Sequence, residues 1–299
     1  MNLKTNAKLV CPPILWNFAR RVKYMAKNAG RGVYNEKKFK EVLSILSDGK
    51  SKSVLQNVRL MILSKSDLEK ARFAEKMAEK CDITSNECSV SIDKVTKKSI
   101  KFDSNQYYPK NIIKLTEHEG FLDAGMFDGN TVLQFIEKCK NKFEVIYAFE
   151  ASKYNFDNRV ESLKGAIDPR IELYNIGLWD EVKTVYFPKA IDAGAIDIGK
   201  HANNTEECIL KPIQDILTPE KMDKISFIKM DIEGAEMKVL KTIKDLIIKN
   251  KPKLAISVYH HQQDVIEIPL YIHSLVPEYK LYLRHHSNWT WETVLYAVC

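Results

Sequence analysis

The chain has 299 residues, of which 45% are apolar and 28% are charged, values that are ordinary for a globular protein. No apolar run reaches the roughly 18 residues of a membrane-spanning helix, and the first residues lack the apolar core and cleavage site of a signal peptide. The six cysteines are scattered without a C-x-x-C pair, so we expect a soluble, cytoplasmic protein with reduced thiols.

Positive charge is concentrated in the first part of the chain. Residues 1–105 contain 22 Lys and Arg against 11 Asp and Glu, a net charge of +11, whereas residues 106–299 contain 24 against 28, a net charge of −4; the two sum to +7. A step of this size predicts a boundary between a basic module at 1–105 and a second domain at 106–299.

The basic module is predicted to be mainly helical. Leu15, Phe18, Val22 and Met25 recur at helical spacing, and the segment SKSDLEKARFAEKMAEK (64–80) carries acids at its start and lysines at its end. Two interpretations of the positive charge stay open: a solvated basic face, or attraction of an anionic partner such as a sugar nucleotide, a charged glycan, a membrane surface or RNA.

From Gln106 onward, apolar strand patterns alternate with helical patterns, which is typical of a parallel sheet with crossover helices. The predicted strands are FLDAG (121–125), EVIYAFE (144–150), IELYNIGLW (171–179), ISFIKMD (225–231) and KLAISVYH (253–260). The predicted helices are TVLQFIEKCK, SKYNFDNRVESLK and a single long AEMKVLKTIKDLIIKN. YKLYLRHHS (279–287) and ETVLYAVC (292–299) predict a closing hairpin.

Polar residues stand where the predicted strands end. They are Asp123, Glu150, Asn175, Asp231 and His260. Because ligands of open parallel sheets bind at the carboxyl edge of the strands, this set predicts the ligand site. The first of these strands runs into the loop GMFDG (125–129), which opens the next helix.

The composition of this loop argues against a bound diphosphate. A dinucleotide site requires G-x-G-x-x-G, and Asp128 would place a carboxylate against the phosphates. S-adenosylmethionine has no phosphate; an aspartate can hold its α-ammonium group, and a helix N-terminus suits its carboxylate. Glu150, at 150 − 123 = 27 positions after Asp123, can accept hydrogen bonds from both ribose hydroxyls. We therefore predict an S-adenosylmethionine site formed by Asp123, Gly125, Asp128, Gly129 and Glu150, with Asn175 and Gly177 beside the adenine.

The second domain also resembles a known family. The segments QYYPKNIIKL, FLDAGMFDGNT, YAFEASKYNF, NIGLWD, FIKMDIEGAEMKVL, SVYHHQQDVIEIP and LRHHS with ETVLYAV, which together span Gln106 to Val298, resemble the FkbM family of S-adenosylmethionine-dependent methyltransferases. The resemblance implies a Rossmann-like class I methyltransferase fold, with a seven-stranded, mostly parallel sheet whose last strand is antiparallel. It also implies methylation of hydroxyl groups, often on sugars of glycans or natural products. Met126 departs from the alanine usual in the family, and the first hundred residues resemble it only faintly.

The expected reaction requires a group that accepts the hydroxyl proton. Histidine is the commonest general base, and we predict this role for His260, with Asp231 positioning the acceptor or the sulfonium. Capping of the following helix is the competing role for Asp231. Glu233 and Glu236 are interpreted as first-turn acids of that helix. A divalent cation held by Asp231, His260 and His285 is an alternative without a ligand-spacing motif, so we predict no metal.

Two other functions compete with O-methylation. An RNA methyltransferase would suit the basic module, but MDIEG replaces the N-P-P-Y-like turn of amine-directed enzymes, and no basic and aromatic run for single strands is present. A non-catalytic S-adenosylmethionine-binding module that recruits a partner is the other alternative. The expected acceptor is an anionic small molecule or glycan, with residues 180–224 and the basic module shaping its pocket.

Overall fold

The computed structural model describes residues 35–80, 87–92, 99–103, 105–159, 168–188 and 205–299. The helix predicted around Leu15 and Met25 lies outside these residues. Within the described ranges, none of the helices is both long enough and apolar enough to cross a membrane.

Twelve strands are present in the described part of the chain. They are β1 (Glu87–Ile92), β2 (Ser99–Asp103), β3 (Gly120–Ala124), β4 (Val145–Phe149), β5 (Ile171–Tyr174), β6 (Gly177–Leu178), β7 (Lys183–Pro188), β8 (Thr205–Lys211), β9 (Phe227–Met230), β10 (Lys253–Ser257), β11 (Lys280–His285) and β12 (Thr293–Val298). Seven of them form one sheet in the order β11-β12-β10-β9-β3-β4-β5. All neighbours in this sheet are parallel except β12, which runs antiparallel to both β10 and β11. The predicted fold, including its antiparallel last strand, is confirmed.

The described helices are α1 (Glu36–Ile45), α2 (Gly49–Leu63), α3 (Asp67–Lys80), α4 (Asn130–Lys138), α5 (Lys153–Arg159), α6 (Pro219–Asp223), α7 (Glu236–Thr242), α8 (Lys244–Asn250) and α9 (Asp264–Leu275). Side chains before α1 and α2 fix where these helices begin. Asn35 accepts the Lys37 N–H at 2.9 Å, and Asp48 accepts the Ser51 N–H at 2.7 Å. The helical prediction for 64–80 is confirmed by α3.

The central strands are buried on both faces, which explains why their sequences are almost wholly apolar. One face carries Leu122, Tyr147 and Ile228, and the other carries a stack of aromatic rings. In that stack, the Phe121 ring lies 4.4 Å from Phe135 and 5.1 Å from Phe227, measured between ring centroids. Burial of these large side chains fixes the register of the strands whose ends form the site.

Two predicted elements are shorter in the structure than in the sequence analysis. IELYNIGLW is not one strand, because β5 ends at Tyr174 and β6 belongs to a separate sheet with the order β6-β8-β7. The long helix predicted after the fourth strand is divided at Ile243 into α7 and α8. The Thr242 hydroxyl donates to the Val239 carbonyl oxygen at 2.8 Å, a side-chain hydrogen bond of the kind that bends helices.

Among the described residues, α2 and α3 contact the edge strand β11 and α1 contacts α9, and apolar residues of these three helices belong to the same core as the sheet. The Ser51 hydroxyl accepts the Leu283 N–H at 3.0 Å, and Asp48 pairs with Arg284 at 2.6 Å. The mainly helical character of this part is confirmed, although the β1–β2 hairpin was not predicted. The domain boundary near residue 105 stays a prediction.

Candidate active site

The loop between β3 and α4 brings backbone against the end of β9. Gly125 has a φ of 82°, and a Cβ added there would lie 2.1 Å from the carbonyl oxygen of Asp231. Glycine is required here by both the backbone angle and the close approach. Asp128 fixes the end of the loop, because its carboxylate accepts the Asn130 N–H at 3.1 Å and the Asn130 side-chain N–H at 2.7 Å. Gly129 directly precedes α4.

Asp123 is buried behind this loop and has a cation from the protein as its partner. The Lys229 ammonium lies 3.0 Å from one Asp123 oxygen, with exposed fractions of 3% and 0% for the two side chains. Lys229 also donates to the Gly125 carbonyl oxygen at 2.5 Å, and the Thr131 hydroxyl donates to the second Asp123 oxygen. The observed role of Asp123 is to hold the glycine loop, and its contact with a ligand ammonium stays a prediction.

Glu150 ends the neighbouring strand β4 and faces the same loop. One carboxylate oxygen accepts the Phe127 N–H at 3.0 Å, and the other accepts the Ser152 N–H at 2.9 Å. Burial raises the pKa of Glu150 to about 7, although these two backbone hydrogen bonds act in the opposite direction. The Asn155 side chain also hydrogen-bonds to this carboxylate, and the lone pairs that remain can accept hydrogen bonds from ligand hydroxyls.

Asn175 and Gly177 lie next to the end of β4. The Asn175 side-chain amide donates to the carbonyl oxygens of Glu150 at 2.9 Å and Ala151 at 3.3 Å. A Cβ at Gly177 would lie 2.9 Å from the Ala151 Cβ and 2.4 Å from Leu210. The structure therefore places both residues beside Glu150, and their predicted proximity to adenine is untested.

Asp231 follows β9, and its carboxylate is held by two tyrosines. The Tyr107 hydroxyl donates to one oxygen at 2.7 Å, and the Tyr259 hydroxyl donates to the other at 3.2 Å. Burial acts to raise the pKa of Asp231, but His260, Lys229 and the Tyr107 hydrogen bond lower it overall. The competing role as a helix cap is wrong, because α7 begins at Glu236 and its cap residue is Ala235.

His260 lies among three carboxylates. Its Nδ1 is 2.8 Å from Glu236 Oε1, and its Nε2 is 3.3 Å from Asp231 and 3.7 Å from Glu233. Burial acts to lower the pKa of His260, but Glu236, Glu233 and Asp231 raise it to about 9. The ordinary histidine pKa assumed in the prediction of a general base is therefore wrong for this setting. Asp231 and Glu233 are the carboxylates of this group that reach solvent, with side chains 22% and 35% exposed.

His285 does not belong to this group of residues. Its ring nitrogens lie 2.8 Å from the Thr293 hydroxyl and 2.7 Å from the Trp289 carbonyl oxygen, and the residue is fully buried. Burial lowers the pKa of His285 to about 3. In the described part of the chain, the residues arranged to share a metal ion are Asp231, Glu236 and His260, so Glu236 stands where the alternative metal set had His285.

Three further residues shape the site and were not predicted for it. Lys229 was visible in the sequence as the one charge in the apolar strand FIKM. Glu236 was interpreted only as a first-turn acid, and its contact with His260 depends on the fold. Tyr107 precedes the first strand of the domain by 13 positions (120 − 107), and no local pattern pointed to its contact with Asp231.

Residues 123–286 match the family model described as the methyltransferase FkbM domain, which is 164 of the 299 residues. A crystal structure of methyltransferase FkbM from Methylobacillus flagellatus is similar, with 25% sequence identity and a TM-score of 0.66. The alignment covers 88% of this chain, and the chain spans 59% of that protein. No curated protein matches the chain in sequence.

Two more distant structures also align. An rRNA methylase from Streptococcus thermophilus has 16% identity and a TM-score of 0.38, covering 61% of this chain and 87% of its own. A methyltransferase from Podospora anserina, described as bound to SAH, has 11% identity and a TM-score of 0.36. Its alignment covers 96% of this chain and 97% of the Podospora protein. These two resemblances are too weak to carry a conclusion about this chain.

Proposed function

The chain belongs to the FkbM family of methyltransferases, whose cofactor is S-adenosylmethionine, and we propose that it methylates a hydroxyl group on a sugar, glycan or glycoconjugate precursor. The observation that supports this acceptor chemistry is the setting of the Asp231 carboxylate. It is an ionised and partly exposed carboxylate held by two tyrosines at the carboxyl edge of the sheet, against the glycine loop. Such a group can accept a hydrogen bond from an alcohol and orient its oxygen.

The residues at the sheet edge fit the cofactor. Glu150 offers a buried carboxylate whose remaining lone pairs suit the two ribose hydroxyls, and the turn at Gly125 exposes backbone beside it. Bound at this edge, S-adenosylmethionine supplies an electrophilic methyl group on its sulfonium. Asp231 then orients the acceptor hydroxyl, and His260 and Tyr107 hold Asp231 in place.

The proposal is tested by incubating the protein with methyl-labelled S-adenosylmethionine and four acceptor classes: nucleotide-linked sugars, lipid-diphosphate-linked sugars, glycan fractions and RNA. Label in a sugar-containing acceptor, located on a hydroxyl oxygen by mass spectrometry, is the expected result. Label in RNA would instead support the RNA methyltransferase. Cofactor binding without label in any class would support a non-catalytic module.

Glu150 is expected to make cofactor affinity depend on pH. Its pKa of about 7 means that the carboxyl loses its proton near neutral pH, and only the ionised form accepts two ribose hydroxyl hydrogen bonds. The affinity for S-adenosylhomocysteine should therefore rise as the pH increases from 6 through 7 and then level off. Glu150→Gln should bind roughly 10–100-fold more weakly at pH 8 and lose this dependence.

Calorimetry from pH 6 to 8.5 measures both effects of the Glu150→Gln change. Asn155→Ala is the matched control: the buried Asn155 side chain hydrogen-bonds to the same carboxylate and lowers its pKa, so its loss leaves the charge of Glu150 in place and moves the pH dependence to higher pH. It should retain a pH-dependent affinity. Equal affinity of Glu150→Gln and wild type at pH 8 would show that Glu150 does not bind the ribose.

The +11 charge of residues 1–105 is expected to favour an anionic acceptor. Because the Debye length is about 10 Å at 0.1 M salt, the apparent acceptor KM should increase with ionic strength. Lys37→Gln with Lys40→Gln, on the exposed face of α1, should raise KM at low salt. The same changes at Lys244 and Lys249 on α8 are the control. A KM that is independent of salt concentration would contradict attraction of an anionic acceptor and would support the interpretation of the positive charge as a solvated basic face.

A further inference from the structure

Three polar side chains from separate elements converge beside the glycine loop. Asp231 follows β9, Glu236 begins α7 and His260 follows β10. One ligand atom from each residue lies within 4.8 Å of the others. Ligands on opposite sides of a small divalent cation lie about 4.2 Å apart, because each bond is about 2.1 Å long, so only a small contraction would place all three on one ion.

Buried polar atoms of His260 and Glu236 in this cluster have no hydrogen-bond partner. The His260 side chain is 2% exposed and that of Glu236 is 0% exposed. Although His260 Nδ1 lies 2.8 Å from Glu236 Oε1, neither ring nitrogen has an acceptor in a hydrogen-bonding direction, and Glu236 Oε2 has no donor. Buried polar atoms almost always have a partner, so these atoms indicate a ligand that completes the cluster.

The charges of the cluster have the sign that a cation requires. Asp231, Glu233 and Glu236 bring three carboxylates around one imidazole. The nearby ammonium of Lys229 is paired with Asp123, and in the described ranges no lysine or arginine forms an ion pair with Asp231 or Glu236. A bound dication would balance two of these negative charges in a buried setting where unpaired charge is costly.

Neighbouring groups already hold the two carboxylates in fixed positions. Tyr107 and Tyr259 donate to the two oxygens of Asp231, and the Ile232 N–H donates to Glu236 Oε1 at 2.9 Å. Such outer hydrogen bonds orient the ligands in protein metal sites. The turn between the ligands is also tightly specified, since Gly234 has a φ of 98° and a Cβ there would lie 2.3 Å from the His261 ring.

We propose that Asp231, Glu236 and His260 bind one divalent cation. Two carboxylates and one imidazole suit a cation of the Mn²⁺ or Mg²⁺ class. Asp231 is the ligand that reaches solvent, so the remaining coordination positions face the side from which an acceptor enters. A role for the cation in catalysis rests on the proposed O-methylation. In that reaction the cation contacts the acceptor hydroxyl and makes it more acidic. The hydroxyl proton then passes to solvent as the C–O bond forms and the C–S bond of S-adenosylmethionine breaks.

The test measures Mn²⁺ binding by electron paramagnetic resonance, using full-length protein stripped with EDTA and without acceptor. Wild type should bind one Mn²⁺ per chain, and Mg²⁺ should compete. Asp231→Asn and Glu236→Gln should each weaken binding by at least about tenfold. Glu278→Gln is the matched control. This exposed carboxylate pairs with Lys251, which precedes β10 and so lies at the edge of the sheet opposite His260, and its loss should not change Mn²⁺ binding.

Binding of S-adenosylhomocysteine to each variant shows that it has folded, which matters most for the buried Glu236. Wild type without saturable Mn²⁺ binding would overturn the proposal, as would Mn²⁺ binding by Asp231→Asn that equals wild type. Because no acceptor is present, this result is independent of methyl transfer. Saturable Mn²⁺ binding with no methylated acceptor would support the metal site and contradict the O-methylation proposal alone.

Discussion

Replacing Asp231 with asparagine is expected to lower kcat for the identified acceptor by about 10²–10⁴-fold, while the Kd of S-adenosylhomocysteine changes by less than about threefold. Asparagine has the same shape. Its single oxygen can accept the hydrogen bond from one of the two tyrosines, Tyr107 or Tyr259, and its N–H can donate to the hydroxyl oxygen of the other. It lacks the negative charge that orients a hydroxyl donor. The loss should therefore fall on turnover and spare the cofactor, which lies against Glu150 and the glycine loop in our proposal.

Glu233→Gln is the matched control for this change. Glu233 is on the same turn, its side chain is 35% exposed, and its carboxylate lies 3.7 Å from His260 Nε2. Its neutralisation removes the same charge from the same region and should lower kcat by less than about tenfold. If kcat falls equally in Asp231→Asn and Glu233→Gln, the overall negative charge of this region contributes more to turnover than the position of the Asp231 carboxylate. Near wild-type turnover of Asp231→Asn would assign the role to another group.

The sheet edge could be predicted because it depends on local patterns. Apolar runs that end in Asp123, Glu150 and Asp231 mark strands, and alternation with helical segments makes these strands parallel. Parallel strands bring their carboxyl ends to one edge, so residues more than a hundred positions apart are placed together without any long-range information. The seven-stranded sheet with an antiparallel last strand was instead implied by the resemblance to the FkbM family, and the alternation alone does not give it.

The chemistry of His260 could not be predicted in the same way. Its position at the sheet edge was correct, but its protonation depends on Glu236 and Glu233, which approach it through the turn between β9 and α7. An isolated histidine suggests a base near neutral pH. Three carboxylates around a buried imidazole instead favour the protonated ring or a bound cation.

Two element boundaries were missed because side-chain contacts override the local pattern. The run IELYNIGLW is mostly composed of strand-forming residues, yet the Asn175 amide turns back to the end of β4 and β5 is separate from β6. The helical pattern of residues 235–250 is continuous, yet Thr242 bonds to the preceding turn and the helix divides at Ile243. Neither contact has a signature in the spacing of apolar residues.

The buried pair of Lys229 and Asp123 joins two central strands and the glycine loop. Its partners are 229 − 123 = 106 positions apart, so a lysine in the apolar strand FIKM had no visible counterpart in the sequence. The pair connects stability to cofactor binding, because the same ammonium also donates to the Gly125 carbonyl oxygen at 2.5 Å. Removing the lysine should therefore affect both properties.

Lys229→Met is expected to lower the free energy of unfolding by about 3–5 kcal/mol, because it leaves the buried Asp123 carboxylate without its cation. Urea unfolding at pH 7.5 measures the change. Lys249→Met removes an exposed partner of Asp223 and should cost less than about 1 kcal/mol. Adding Asp123→Asn to Lys229→Met should recover part of the loss, since no buried charge then remains and Thr131 can still donate to the amide oxygen. If the double variant is no more stable than Lys229→Met, the lysine stabilises the protein through its contact with the Gly125 loop and not through Asp123. Weaker S-adenosylhomocysteine binding by Lys229→Met and by the double variant would then show that the loss of this loop contact affects the cofactor site.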